Sequence, residues 1–530
     1  MFRTFALAAL FASAATGALA QPLGPYASAK DQQAAMTSGA VTSEALVRAA
    51  LGRIADLDHR GTKLNSVIVI SPRAMADAQA MDAERRAGKI RGPLHGVPVL
   101  IKDNIESNDG TATTAGSLAL KDNVTGRDAP LVQRLKAAGA VIIGKTNLSE
   151  WANYRSTQSI SGWSAMGGLV HNPYALDRNA CGSSSGSGAA VAAGFAALAV
   201  GTETDGSVTC PASFNGLVGF KPTLGLVSRT HVVPISPEQD TAGPMTRTVA
   251  DAAALLAGMA GSDPADPTTR PADARKVDYL AALDANALKG ARIGVLRREG
   301  GSAKLQAAFD QALETMRQAG AVLVDVKALP DAQLSQIGEA EDASLKAEFK
   351  AAINAYLATT PAAVKTRTLD DLIAFNAATP AETAIFGQEI FEAANKSPPL
   401  TDTGYKAKRA AAKRLAGPEG IDRMLKQANV EAIVMSGGPP AALVDPVNGD
   451  NFSGPSTSLA AVAGYPHLNL PVGQVSGLPV SLSIIGTAWS DARILSLGYA
   501  LEQALPAWRP PEFLPTVNVR PELARALDVD

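Results

Sequence analysis

One lysine and two serine-bearing, glycine-rich loops hold the chemistry of this chain. Lys102 closes the apolar run Val99-Leu100-Ile101, and the loops are Gly182-Ser183-Ser184-Ser185-Gly186 and Gly201-Thr202-Glu203-Thr204-Asp205-Gly206-Ser207. A hydroxyl attacks an acyl carbon poorly until a neighbouring base takes its proton. In Ser–Lys hydrolases an amine does this in place of imidazole. Glycines let the backbone approach a substrate and aim N–H groups at a developing oxyanion. Types and order together predict a nucleophilic serine served by an amine base. Such a lysine must be uncharged to accept a proton near neutral pH, and burial disfavours its charged form. The apolar run ahead of Lys102 fits that setting.

Other residues compete for the role. Ser184 is the centre of a Gly-x-Ser-x-Gly pattern, but a nucleophile elbow needs a strand just before it and a partner histidine. The segment Asn172 to Asn179 reads as a loop, which counts against that geometry. The five histidines, His59, His95, His171, His231 and His467, include no pair at metal-ligand spacing, so no metal site is expected. Core or surface roles suit each of them, with a pocket position for His467 as the second reading. Asp445 and Asp450 lie in a Gly/Pro/Asn-rich stretch that predicts turn chemistry. Cys181 and Cys210 sit beside the two serine loops, and no Cys-x-x-Cys pair exists, which argues against structural zinc. Two small buried thiols are preferred here to a disulfide, because spacing along a chain does not supply the close Cα approach a bridge demands.

The elements that must position these groups alternate. Thr42 to Leu57 has apolar residues at helical spacing with Thr42 as N-cap. Val67 to Ile70, Val97 to Ile101 and Val141 to Ile143 read as buried strands, separated by helices from Pro72 to Ala87 and from Leu131 to Ala138. Ala189 to Val200 predicts a small-residue helix between the serine loops. Later strands are expected at Ala291 to Leu296, Val322 to Val326, Ala432 to Met435 and Leu482 to Ile485. About residues 339–430 the pattern is helical and rich in Lys, Arg and Glu, as expected of an insertion packed on the sheet or, equally, of a small separate domain. Such alternation predicts an α/β fold with helices covering a sheet.

Composition excludes several classes. An apolar fraction of 46% supports a large core, and a formal charge of −2 with 5% aromatics gives no basic, aromatic-interleaved surface for nucleic acid. The start has a separate purpose: Arg3, an apolar run from Phe5 to Ala15 and the small-x-small site Ala18-Leu19-Ala20 form a secretory leader. Its apolar stretch is shorter than the roughly 20 residues of a membrane span. Cleavage near Ala20 and a periplasmic or secreted location are expected, without stable membrane insertion.

The ordered motifs Gly96 to Asn104, Thr113-Thr114-Ala115-Gly116-Ser117, Lys145-Thr146-Asn147, the serine-rich loop and Gly201 to Ser207 resemble the amidase signature family. Phe220-Lys221-Pro222-Thr223 and Ala463-Gly464-Tyr465-Pro466 resemble its flanking segments, so the likeness spans about residue 28 to beyond 500. The resemblance implies one α/β domain over residues 21–530, a mixed twisted sheet surrounded by helices. It implies a Ser–cis-Ser–Lys triad with Ser207 as nucleophile, Ser183 as the relay and Lys102 as base. The N–H groups of Thr204, Asp205, Gly206 and Ser207 would form the oxyanion hole, with no cofactor. Glu203, Asp205 and Thr209 depart from the commonest family residues, and the Thr-Glu-Thr-Asp-Gly-Ser form is most similar to bacterial peptide amidases, which release ammonia from peptide C-terminal amides. Three alternatives stand beside that activity: hydrolysis of aliphatic, aryl or acyl amides, an amidotransferase component for Gln-tRNA synthesis, and an inactive amidase-like binding protein.

Overall fold

The computed structural model describes residues 23–297, 302–450 and 457–527. The leader expected over residues 1–20 lies outside them. The described strands are β1 (Val67–Ile70), β2 (Pro98–Lys102), β3 (Val141–Thr146), β4 (Trp163–Ser164), β5 (Gly168–Leu169), β6 (Leu198–Glu203), β7 (Val218–Lys221), β8 (Thr241–Thr246), β9 (Arg292–Val295), β10 (Val322–Asp325), β11 (Ala432–Ser436), β12 (His467–Val475) and β13 (Leu478–Ile485). β4 and β5 form a small separate ribbon, and the others make an 11-stranded sheet in the order β1-β3-β2-β6-β8-β7-β12-β13-β11-β9-β10. β2 runs parallel to both β3 and β6, whereas β8, β7, β12 and β13 pair antiparallel, so the sheet is mixed.

The middle of the sheet is buried throughout. Every residue of β2, β3, β6 and β8 is shielded from solvent. Strands covered on both faces read as apolar runs rather than alternations, which is how β2 and β3 appear in the chain. Side chains still alternate between faces. Val99, Ile101, Leu198 and Val200 enter one core cluster, with Leu255, Leu256 and Leu288. Leu100 and Ala199 enter another, with Val47, Ile54 and Val191. A single α/β domain with helices on both faces results. No described helix is long and apolar enough to cross a membrane.

The segment between the serine loops differs from the expected helix. It is helical only over Ser185–Ala192, and β6 begins at Leu198. Gly194 breaks the run with φ +75°, where a Cβ would meet the Tyr26 ring at 2.9 Å. Alanine favours helix locally, but Leu198, Ala199 and Val200 are held by pairing with β2 and β8, and tertiary context overrides propensity. Between β10 and β11 the chain forms helices Asp331–Leu357, Leu369–Ala378, Glu389–Asn395, Thr403–Ala416 and Asp422–Ala428. Phe349, Leu357, Leu372 and Phe391 of this run pack against Leu120, Trp151 and Ile235 of the sheet-bearing part. That seam sets the helices beside the loops that carry the serines.

Candidate active site

Strand ends deliver the reactive groups. β2 ends at Lys102 and the neighbouring β6 ends at Glu203, from which the chain turns through Thr204, Asp205 and Gly206 to Ser207. Lys102 and Ser183 are fully buried. Lys102 Nζ donates to Ser183 Oγ (2.7 Å), Thr202 Oγ1 (2.9 Å) and the Thr202 carbonyl (3.3 Å). Burial pushes its pKa down to about 7, against the pull of Asp240 and Glu203. A neutral amine has two hydrogens and one lone pair for three partners. The Thr202 carbonyl only accepts, whereas the Ser183 and Thr202 hydroxyls can each donate to that lone pair, the latter while also accepting from Asn104 Nδ2 (2.9 Å). Of the two hydroxyls, Ser183 makes the shorter contact with Lys102.

Ser183 follows Gly182 through a cis peptide bond. Its loop meets the second serine through the backbone, where Ser184 N–H donates to the Ser207 carbonyl (3.1 Å). Ser184 itself is engaged locally: its hydroxyl donates to the Thr202 carbonyl and accepts from Thr202 N–H, both at 3.1 Å. No strand runs directly into Gly182, so the nucleophile-elbow geometry is absent.

The turn from Thr204 to Ser207 is held by side chains on every side. Glu203 Oε2 accepts from the N–H groups of Val208 (2.8 Å) and Thr209 (3.0 Å) and from the Thr209 hydroxyl (3.1 Å). Thr209 is thus buried and committed to Glu203. Asp240 accepts from the Thr204 hydroxyl (2.6 Å) and from Ile235 and Ser236 N–H. The Asp205 carboxylate accepts from Thr457 and Ser458 hydroxyls, the latter at 2.6 Å. Gly206 has φ +83°, and a Cβ there would meet Thr457 Oγ1 at 3.1 Å. Among the described residues, no acceptor engages the N–H groups of Asp205, Gly206 and Ser207. Oxyanion binding needs donors left free in this way.

The helical run reaches the same turn. Arg409 pairs with Glu348 and donates to Gln239 Oε1 (2.5 Å), while Gln239 Nε2 donates to Glu341 (2.7 Å) and the Thr204 carbonyl (3.3 Å). Burial and the nearby Asp205 push Glu341 up to about 8.

Cys181 and Cys210 form a disulfide, with Cα atoms 5.9 Å apart. This corrects the expectation of two separate thiols. The serine loops fold against each other, a tertiary proximity that spacing along the chain does not encode. His467 is a buried core residue: its Nε2 contacts Ser483 Oγ (2.8 Å), and burial with Lys221 nearby drives its pKa to about 3. No group of three or more metal-binding side chains occurs among the described residues. Sequence reasoning missed Thr202, Asn104 and Asp240, whose contributions are hydrogen bonds that no periodicity announces.

The amidase family model matches residues 45–495. The chain belongs to the amidase signature family. Among solved structures it is similar to the native peptide amidase of Stenotrophomonas maltophilia, 49% identical with TM-score 0.87, covering 92% of this chain and 99% of that one. A probable amidase of Arabidopsis thaliana is 37% identical, over 92% of each chain. A component of the glutamyl-tRNA(Gln) amidotransferase of Halorhodospira halophila is 36% identical, over 89% of this chain and 95% of its own. This amidase is an amide-hydrolysing enzyme, and its single mixed-sheet domain matches the fold of the solved peptide amidase.

Proposed function

We propose that this amidase is an exported peptide amidase that removes ammonia from C-terminal carboxamides with a Ser207–Ser183–Lys102 triad. The observation that carries the reading is the buried Lys102 Nζ–Ser183 Oγ contact at 2.7 Å, made by an amine held near pKa 7. Ser207 Oγ attacks the amide carbon as its proton passes to Ser183 Oγ and the Ser183 proton passes to Lys102 Nζ. The amides of Thr204, Asp205, Gly206 and Ser207 receive the oxyanion. Returning the proton to the leaving nitrogen breaks the C–N bond and releases ammonia. Water then adds to the acyl carbon, giving the C-terminal acid and restoring Ser207. Losing one oxyanion donor in such a site costs about 100- to 1000-fold.

The carboxamide preference rests on charge. Glu203, Asp205 and Asp240 surround the Ser207 turn, and Thr209, buried against Glu203, supplies no cation for a substrate carboxylate. The 49% identity to a peptide amidase supports the same class. Export rests on the leader pattern, and a mature N-terminus at or near Gln21 is expected.

Ammonia release across peptide amides, aliphatic and aryl amides, and unmodified peptides tests the substrate. Peptide amides should be preferred, with internal peptide bonds left intact. A far higher kcat/KM on simple amides would sink the peptide reading, and a Ser207→Ala enzyme near wild-type rate would sink the triad.

A further inference from the structure

We propose that the Cys181–Cys210 disulfide is a positioning element of catalysis, a covalent brace that holds the Ser183 loop against the Ser207 turn, so that turnover depends on its being oxidised. The inference rests on the triad reading above.

The bond stands where the two loops meet. Cys181 lies two residues before Ser183, and Cys210 three residues after Ser207. The ring it closes spans a sequence separation of 29 and contains both serines, the helix Ser185–Ala192 and β6. Helix and strand are fixed by the sheet and the core, so the bond adds little to where they sit. Its effect falls on the ring's two ends, and those ends are the relay loop and the nucleophile turn.

Each end transmits a displacement to the chemistry. Cys210 N–H donates to the Gly206 carbonyl (2.8 Å), so the cysteine is tied to the residue beside Ser207. The Cys181 carbonyl accepts from Ser185 Oγ (2.5 Å), and its N–H donates to Asn179 Oδ1 (2.6 Å), which fixes the loop on both sides of Ser183. Cys181 has φ +54°, a left-handed conformation that a side-chain-bearing residue keeps only when its surroundings impose it. Between the loops, Ser184 makes three hydrogen bonds, its N–H to the Ser207 carbonyl and its hydroxyl with the Thr202 carbonyl and N–H, and the disulfide is the covalent tie beside them. Both cysteines are buried in one cluster with Phe214 and Ala441. Their effect on the reaction would run through the positions of the serines. A proton relay through two hydroxyls is sensitive to such placement, since a misplacement of about 1 Å can cost about 100-fold in rate.

Reduction would proceed by thiol–disulfide exchange with an external dithiol. One reductant sulfur attacks a cysteine sulfur to form a mixed disulfide, and the second resolves it. Two electrons pass to the protein, leaving two thiols and an oxidised reductant. A brace of this kind persists in an oxidising compartment, which agrees with the leader pattern.

The test uses the oxidised mature enzyme with a peptide amide, and Ser207→Ala as the blank. The Cys181→Ala/Cys210→Ala double variant should lose about tenfold or more in kcat with KM within about twofold, at temperatures well below its melting midpoint. An unchanged kcat would show that the bond only staples the fold, and would overturn the proposal. Should the variant not fold, wild-type enzyme treated with dithiothreitol gives the answer: activity should fall in step with the appearance of two thiols per chain and return on reoxidation. Full activity with both thiols titrated would overturn it as well. Failure of the triad reading looks different, because Ser207→Ala would then remain active in the oxidised enzyme.

Discussion

Two buried lysines on neighbouring strands of this amidase have opposite surroundings. Lys102 ends β2, Lys145 lies in β3, and the register pairs Lys145 with Ile101, one residue before Lys102. Both are fully buried, and burial lowers the pKa of both. The difference lies in their partners. Lys102 touches two hydroxyls and a carbonyl, with no carboxylate in contact. Lys145 has the Asp103 carboxylate at 3.7 Å, with Asp109 and Glu106 adding to the attraction, and it also donates to the Ala112 carbonyl (3.0 Å) and the Thr113 hydroxyl. A buried amine without a counter-ion is pushed toward the neutral form and can act as a base. One beside a carboxylate is held in an ion pair and serves the fold. The partner, more than the burial, decides which role a lysine takes.

Exchanging each lysine for methionine should split the two roles. Lys102→Met should cost several orders of magnitude in kcat with no loss of stability. Combined with Ser183→Ala, the loss should be far less than additive, since members of a triad act as a unit. Lys145→Met should leave Asp103 buried without its cation, which destabilises by about 3–5 kcal/mol. Turnover per folded molecule should then change little. Urea unfolding alongside active-site titration checks both. A Lys145→Met enzyme that is fully stable but inactive would show that Lys145 serves the reaction and not the fold.

Neither lysine declared its role by its immediate neighbours in the chain. Val99-Leu100-Ile101-Lys102 and Val141-Ile142-Ile143-Gly144-Lys145 are both apolar runs ending in lysine, and both strands were legible for that reason. Lys102 was singled out by the order of motifs around it, together with Ser183 and Ser207. Thr202 stands far along the chain from the amine it fixes, as do Thr457 and Ser458 from the Asp205 they hold, and each meets its partner through the fold alone. The disulfide escaped prediction for the same reason. The helix expected through Val200 failed because an alanine-rich segment suits either state until β2 and β8 supply partners for Leu198 to Val200.

The missing counter-ion at Lys102 also sets a pH dependence. With Lys102 near 7, kcat/KM should climb about tenfold per pH unit below that value and level off above it, because the protonated amine accepts nothing. Stability should carry the same signature. The unfolded lysine titrates near its ordinary value of 10.5, so between about 7 and 10.5 the unfolded state binds the extra proton. Stability then rises with pH across that window. Relative to wild type, Lys102→Met should be most stabilised below pH 7, and its advantage should shrink by about 2–3 kcal/mol by pH 9, at 1.36 kcal/mol per unit. Denaturant unfolding of both proteins at pH 6 and pH 9 reads this directly, and an advantage independent of pH would mean that Lys102 stays charged in the folded enzyme.

The smallest effect concerns a third buried lysine, Lys221, and the carboxylate it faces. Burial lowers Lys221 to about 8, while the neighbouring Glu203, Asp491 and Asp205 pull the other way. Its position is intermediate between the other two: charge-compensated, like Lys145, but by a carboxylate that works in the active site. Glu203 in turn holds the N–H groups of Val208 and Thr209, and so the backbone immediately after Ser207. Glu203→Gln keeps an acceptor for those amides and removes the charge. Hydrogen bonds to a charged acceptor are worth about twice those to a neutral one, so the turn should loosen without collapsing. A loss of about 1–1.5 kcal/mol is expected, which is roughly tenfold in kcat with KM little changed. Glu203→Ala, which leaves both amides without a partner, should cost more than Glu203→Gln in the same assay. Equal losses for the two variants would show that the charge facing Lys221, rather than the hydrogen bonds to Val208 and Thr209, is what sustains the turn.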